Sequence, residues 1–195
     1  MPFLRTPLYH GLGILLFNVA YSATIVQDLP VASNVVSAVG SDAIRLENFA
    51  QSAVVSQTGG ITGNVATGNG GADLGLYNSA TGTGSTLFIS LSVTGNNLSL
   101  DDVGVNSFAT AGGGAVIDLH ASLNGNTIDH NATDGIFVFA SGAGATETFS
   151  LGASDTISFN ASFGVHLLTA GGGAIFFTTD GATITGNSAG NFTGP

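Results

Sequence analysis

The chain has 195 residues, with Lys+Arg 2 against Asp+Glu 12, and only 7% of it is charged. Such scarcity of bases excludes nucleic-acid binding, which needs cations against phosphates, and the lack of strong polar helix formers excludes a helical bundle. Apolar residues at 44% exclude simple disorder.

Residues 1–22 have the pattern of a secretory signal peptide. Arg5 gives a positive start, Leu12 to Val19 an apolar run, and Ala20-Tyr21-Ser22 a small-x-small cleavage site, so the mature chain is expected to begin at Ala23. The run falls short of the about 20 residues that span a bilayer. Cleavage leaves Arg45 as the last strong base. The chain has no Cys, so an exported form needs a stabiliser other than disulfides, and a long stacked core would serve.

Beyond this segment the sequence repeats. Asn126-Thr127-Ile128-Asp129-His130-Asn131 returns as Asp155-Thr156-Ile157-Ser158-Phe159-Asn160 and as Ala182-Thr183-Ile184-Thr185-Gly186-Asn187. A Gly followed by an aliphatic residue marks Gly75-Leu76, Gly104-Val105, Gly135-Ile136 and Gly164-Val165, and Asp42-Ala43-Ile44 parallels Asp134-Gly135-Ile136. Thr110-Ala111-Gly112-Gly113-Gly114-Ala115 recurs as Thr169-Ala170-Gly171-Gly172-Gly173-Ala174. The markers share one period of about 30 residues, a length typical of solenoid repeats.

Within a period the pattern is that of strands. Leu87, Ile89, Leu91 and Val93 alternate with Phe88, Ser90 and Ser92, which buries one face. Gly, Asn, Ser and Asp separate such runs and turn the chain. Short strands in a period near 30 predict an all-β fold, a parallel β-solenoid of about five coils. Ile128, Ile157 and Ile184 are then expected to stack inside. Asn131, Asn160 and Asn187 are expected to form an amide ladder, and Gly135 and Gly164 to sit at corners needing positive φ. Residues 23–41 become an N-terminal cap or partial first coil, and 42–195 the solenoid. No amphipathic helix closes the far end, which predicts a continuation, a partner or self-association there.

The Asn-Thr-Ile-x-x-Asn turn followed by Gly-Ile or Gly-Val resembles the repeats of bacterial right-handed parallel β-helix proteins, the pectate-lyase-like superfamily. The Gly-, Ala-, Thr- and Asn-rich, base-poor composition is most similar to autotransporter passenger domains and polymorphic outer-membrane proteins. The resemblance covers about residues 42–191. It implies a right-handed β-helix at the cell surface and, alternatively, a polysaccharide lyase or hydrolase.

The residues for catalysis are sparse. Lyases of that family use a base, usually Arg, and only Arg45 is present in the mature chain. An acidic protein also repels a polyanionic substrate. Asp101 and Asp102 are adjacent and would point to opposite faces of a strand; Asp118, Asp129, Asp134 and Asp155 could share a surface. Solvated turn carboxylates are the plainer reading. Gly68 to Leu74 (GNGGADL) partly matches a Ca²⁺-binding β-roll nonapeptide, but it occurs once and a Gly-rich loop is preferred. His120, His130 and His166 lack ligand spacing. Glycosylation sequons at Asn97, Asn131, Asn160 and Asn191 follow largely from the repeat. The Thr127, Thr156 and Thr183 series is too incomplete for an ice-binding face.

These readings predict no catalytic, cofactor or metal residues. They predict a non-enzymatic extracellular or outer-surface module, a rigid stalk or adhesive passenger. Its partners are expected to be a glycan, a host protein or its own copies. Specificity is expected in the turns Asn78–Thr86 and Ser141–Thr148, since loops on a rigid scaffold carry function.

Overall fold

A computed structural model describes residues 12–194. Every regular element among them is a strand, and Leu87, Ile89, Leu91 and Val93 of the alternating run turn inward. The first coil contains β1 (Ile14–Tyr21), β2 (Thr24–Asp28), β3 (Val31–Ala32) and β4 (Val35–Ser37). The second contains β5 (Ile44–Gln51), β6 (Val54–Thr62) and β7 (Val65–Thr67). The third contains β8 (Ala72–Thr81), β9 (Thr86–Thr94) and β10 (Asn97–Ser99), and the fourth β11 (Val103–Gly112), β12 (Val116–Asn124) and β13 (Thr127–Asp129). The fifth contains β14 (Ile136–Ser141), β15 (Ala145–Leu151) and β16 (Thr156–Ser158). The sixth contains β17 (Phe163–Ala170), β18 (Ala174–Thr179) and β19 (Thr183–Thr185), after which β20 (Gly190–Thr193) returns to the first face.

Each strand pairs in parallel with its counterpart one coil away, so the chain builds three sheets. Face I is β1-β5-β8-β11-β14-β17-β20, face II β2-β6-β9-β12-β15-β18, with β3 also on β6, and face III β4-β7-β10-β13-β16-β19. The fold is therefore a parallel β-solenoid of six coils, one more than the repeats predict. The extra coil arises because β1 pairs with β5 over its whole length, Ile14 opposite Ile44 through Tyr21 opposite Gln51. The predicted leader thus divides: residues 1–11 lie outside the described residues, and Ile14–Tyr21 forms β1. The segment read as a cap supplies β2, β3 and β4.

Direct stacking puts like residues in columns. On face I, Ile44, Leu74, Val105, Ile136 and Val165 lie in one register and are fully buried. On face III the inward column is Ala66, Leu98, Ile128, Ile157 and Ile184. The first four are fully buried, and Ile184 is partly exposed. Three faces of such columns enclose one continuous apolar core, and burial at about 25 cal/mol per Å² is its main driving force.

Two amide ladders fix the corners. Between faces II and III, the backbone and side-chain N–H groups of Asn34 donate to Asn64, those of Asn64 to Asn96, those of Asn96 to Asn126 and those of Asn126 to Asp155, at 2.8–3.0 Å. Between faces III and I, Asn131 donates in the same way to Asn160 at 3.0 Å, and Asn160 to Asn187 at 3.0 and 2.9 Å. Asn69 and Asp101 extend this second ladder toward the N-terminal coils. A ladder satisfies buried amides that the corner removes from the sheets.

Gly135 and Gly164 lie under the second ladder, for a reason other than the predicted one. Neither is among the residues with positive φ. A Cβ on Gly135 would meet Ile157 Cγ2 at 2.6 Å, Asn160 Nδ2 at 2.7 Å and the Gly164 carbonyl at 2.7 Å, and Gly164 is as closely confined. Space between the first residues of face I and the ladder dictates glycine. Gly135→Ala is expected to lower stability by about 3 kcal/mol through overpacking, measured by urea unfolding.

Candidate functional site

The turns expected to carry specificity are short. Asn78–Thr81 belongs to β8 and Thr86 opens β9, so only residues 82–85 connect them; Ser141 and Ala145 likewise flank a three-residue turn. The triplets at Gly112–Gly114 and Gly171–Gly173 turn this same corner, with positive φ at Gly113, Gly114, Gly171 and Gly172. What the solenoid offers a partner is its outer faces.

Face I is the distinctive one. Strand alternation points every second residue outward, and register stacks Phe17, Glu47, Tyr77, Phe108, Phe139 and Leu168 in one outward column. The neighbouring column is Leu15, Arg45, Gly75, Asn106, Phe137 and His166. The rings touch along the solenoid. Tyr77 stacks on Phe108 at 5.8 Å and 8°, Phe108 meets Phe137 at 5.5 Å and Phe139 at 5.7 Å, and Phe137 meets His166 edge-on at 5.0 Å. Such contacts add about 0.5–1.5 kcal/mol per pair beyond burial and hold the rings in place.

Charge is clamped at the N-terminal end of this stripe. The Arg45 guanidinium lies 4.1 Å above the Tyr77 ring and donates to Glu47 Oε2 at 3.0 Å and Asp42 Oδ2 at 3.4 Å. Burial, with Asp42 nearby, pushes the Tyr77 hydroxyl up to about 12, so it stays a neutral donor. Gly75 makes room for this arrangement, because a Cβ there would meet Tyr77 Cε2 at 2.5 Å. Beside the rings the next column carries Phe49, Ser79 and Thr110. The step from large to small side chains leaves an open depression of about 410 Å³, lined by Glu47, Phe49, Tyr77, Ser79, Phe108 and Thr110.

The candidate acid residues do not assemble. Asp118 lies on face II, 3.0 Å from His120, and Asp129 on face III, 3.1 Å from His130. Asp134, just before β14, accepts from the Phe163 amide at 2.9 Å and lies 3.0 Å from His166. Asp155 is buried in the first ladder, and Asp101 in the second. The four carboxylates that could share a surface thus occupy different sides of the solenoid. Among the described residues, no group of three or more His, Cys, Asp or Glu side chains is placed to hold a metal ion.

Sequence reading passed over the residues of the stripe. An aromatic between inward residues, as in Leu76-Tyr77-Asn78, Ser107-Phe108-Ala109 and Ile136-Phe137-Val138-Phe139, marks the stripe only once the register of face I is known. Comparison of the chain with family models, curated proteins and solved structures gives no match.

Proposed function

We propose that this chain is a non-enzymatic extracellular or cell-surface solenoid module, of the passenger type within the pectate-lyase-like β-helices, that binds glycan along the aromatic stripe of face I. The carrying observation is the register-locked run Tyr77, Phe108, Phe137 and Phe139 beside a depression rimmed by Glu47, Ser79 and Thr110. Flat rings present apolar area to the C–H faces of a sugar, and the rim offers hydroxyls and a carboxylate to its hydroxyls. A formal net charge of −10 favours neutral glycans over uronates. Self-association through the last coil is the competing partner reading. Turnover of polysaccharide is the alternative activity, disfavoured by the scatter of carboxylates and the engagement of Arg45.

The test is binding of the purified full chain to an array of neutral and acidic glycans. Phe108→Ala is expected to weaken binding by about tenfold or more, equivalent to about 1.4 kcal/mol, while Phe88→Ala on face II leaves it unchanged. Equal binding by both variants would remove the stripe from the reading. Release of reducing or unsaturated sugars would replace it with the enzyme reading.

The export proposal meets a specific tension at the N-terminus. Ile14-x-Leu16-x-Asn18-x-Ala20 copies Ile44-x-Leu46-x-Asn48-x-Ala50 and Leu74-x-Leu76-x-Asn78-x-Ala80, and Asn18 donates to Asn48 at 2.8 Å. The copy favours retention of Ile14–Tyr21 as a working rung. Intact mass of the native product is expected to include these residues; a product beginning at Ala23 would restore the leader reading.

A further inference from the structure

One rung of the ladder between faces III and I departs from the others at two touching positions. Under Asn131, Asn160 and Asn187 the facing residue of face I is Gly104, Gly135 and Gly164, each too confined for a Cβ. In the third coil the ladder residue is Asp101, and register places Asp73 in the glycine column, one residue before the Leu74–Val105 pair. Both side chains are buried, Asp73 completely. Asp101 accepts at both oxygens: they take the Asn69 backbone and side-chain N–H groups, the latter at 2.8 Å. Neither Asp73 oxygen has a hydrogen-bond partner; the Asp101 carboxylate and the Asn69 amide are its side-chain neighbours across the rung, and Asn69 already donates to Asp101.

We propose that Asp73 and Asp101 share one proton, Asp73 as the neutral acid donating to the Asp101 carboxylate, and that this pair is a pH-sensitive lock between the third and fourth coils. Two buried carboxylates at one site cannot both ionise. One proton needs only one donor–acceptor line between the two carboxyls. A Ca²⁺ ion needs six to eight oxygens, and the Asn69 N–H groups already occupy Asp101. The surrounding charges reinforce the proton. Beyond Asp101, Asp129, which ends β13, adds to the effect, while Asp42 before β5 and Asp102 after Asp101 lie on the adjoining segments. Arg45 is spent on Asp42 and Glu47. Burial foremost, then Asp101, raises Asp73 to about 11. A carboxyl raised on folding gives a contribution that is whole below its unfolded value near 4 and is lost as pH climbs toward the folded value.

The experiment is urea unfolding of the full chain between about pH 9 and pH 10, above the value of about 8 to which burial pushes the Glu147 carboxyl. The wild type is expected to lose up to about tenfold in its folding equilibrium constant per pH unit. Asp73→Asn, which can still donate to Asp101, is expected to flatten that slope. Infrared spectra of the wild type with labelled aspartate give an independent readout and should show one protonated carboxyl at neutral pH. A parallel slope in Asp73→Asn overturns the proposal, as does full ionisation of all aspartates at pH 7. A midpoint raised by Ca²⁺ in the wild type and not in Asp73→Asn also overturns it, in favour of a cation site.

Discussion

Asn160→Ala is expected to destabilise the solenoid by at least about 4 kcal/mol, a large part of the 5–15 kcal/mol typical of a folded domain. Asn160 is fully buried. Its side-chain oxygen accepts from the Asn131 backbone and side-chain nitrogens, and its amide donates to the Ile128 carbonyl and to Asn187 Oδ1. Alanine removes all four bonds, each worth about 0.5–1.5 kcal/mol net, and orphans the Asn131 backbone N–H at about 1–3 kcal/mol more, while Asn187 Oδ1 keeps the Asn160 backbone N–H and Asn131 Nδ2 keeps the Leu98 carbonyl. Asn160→Asp separates the two halves of the effect. It keeps acceptors for Asn131 and loses both donations, so its cost should lie between wild type and alanine. Asp155 shows that a ladder tolerates a carboxylate, because Asn126 and the Gly152 amide donate to it. Urea titrations followed by circular dichroism give both values. A loss within about 0.5 kcal/mol for Asn160→Ala, the range of a surface substitution, would mean that the ladder is not structural.

Glu147 produces the second large effect, in stability against pH. It lies fully buried on the inner side of face II, with the Ser107 hydroxyl donating to Oε2 and no partner at Oε1. Burial pushes its carboxyl up to about 8, with Ser107 and the Ala109 backbone pulling it back part way. Because the folded value exceeds the unfolded one, its stabilising contribution is complete below about pH 4 and drains away between there and about pH 8. At pH 7 the accumulated loss is about 3 kcal/mol. Glu147→Gln keeps the shape and removes the titration. It should raise the unfolding midpoint at pH 8 and flatten the profile from pH 5 to pH 8, while at pH 4 the two proteins should differ little. An unaltered profile in Glu147→Gln would mean that Glu147 is ionised or solvated in the fold.

The architecture was legible in the sequence because a solenoid writes its three-dimensional contacts as a period. Ile128, Ile157 and Ile184, and the Asn residues three places after each, repeat because each copy rests on the next. The other ladder was equally visible in Thr62-Gly63-Asn64, Thr94-Gly95-Asn96 and Asn124-Gly125-Asn126 and went unread. Its last member is Asp155, which the repeat comparison already sets opposite its ladder partner Asn126. Register was harder. Gly75-Leu76 was matched to Gly104-Val105, yet Val105 lies opposite Leu74, so Asp73 rather than Gly75 stands in the glycine column. The match slips by two residues, which keeps inside and outside but gives each residue the wrong partner, and it concealed Asp73 in the glycine column.

The first coil was hidden for a related reason. In Ile14–Tyr21 the outward positions Leu15, Phe17 and Val19 are as apolar as the inward ones, so alternation is lost and the run has the hydropathy of a leader. Positive φ was likewise assigned to the wrong residues. Leu100, His130 and Phe159 adopt it at successive coils, at φ 67, 55 and 55, where composition would place glycine. The stripe on face I had no local signature at all. Its aromatic residues come from different coils and become neighbours only through stacking.

Stacked coils in fixed register are the claim on which the stripe, the ladders and the proton-sharing pair all depend. Pairs of spin labels measure it directly, and the absence of native Cys makes labelling selective. Val35, Val65, Asn97, Thr127, Thr156 and Thr183 form one outward column on face III. Labels at Val35→Cys and Thr127→Cys lie three rungs apart, and labels at Val35→Cys and Thr183→Cys five. At about 4.8 Å per rung, backbone separations of about 14 Å and about 24 Å are required, with narrow distributions that grow in proportion to rung number. Broad distributions, or a Val35–Thr183 distance no longer than Val35–Thr127, would contradict the solenoid.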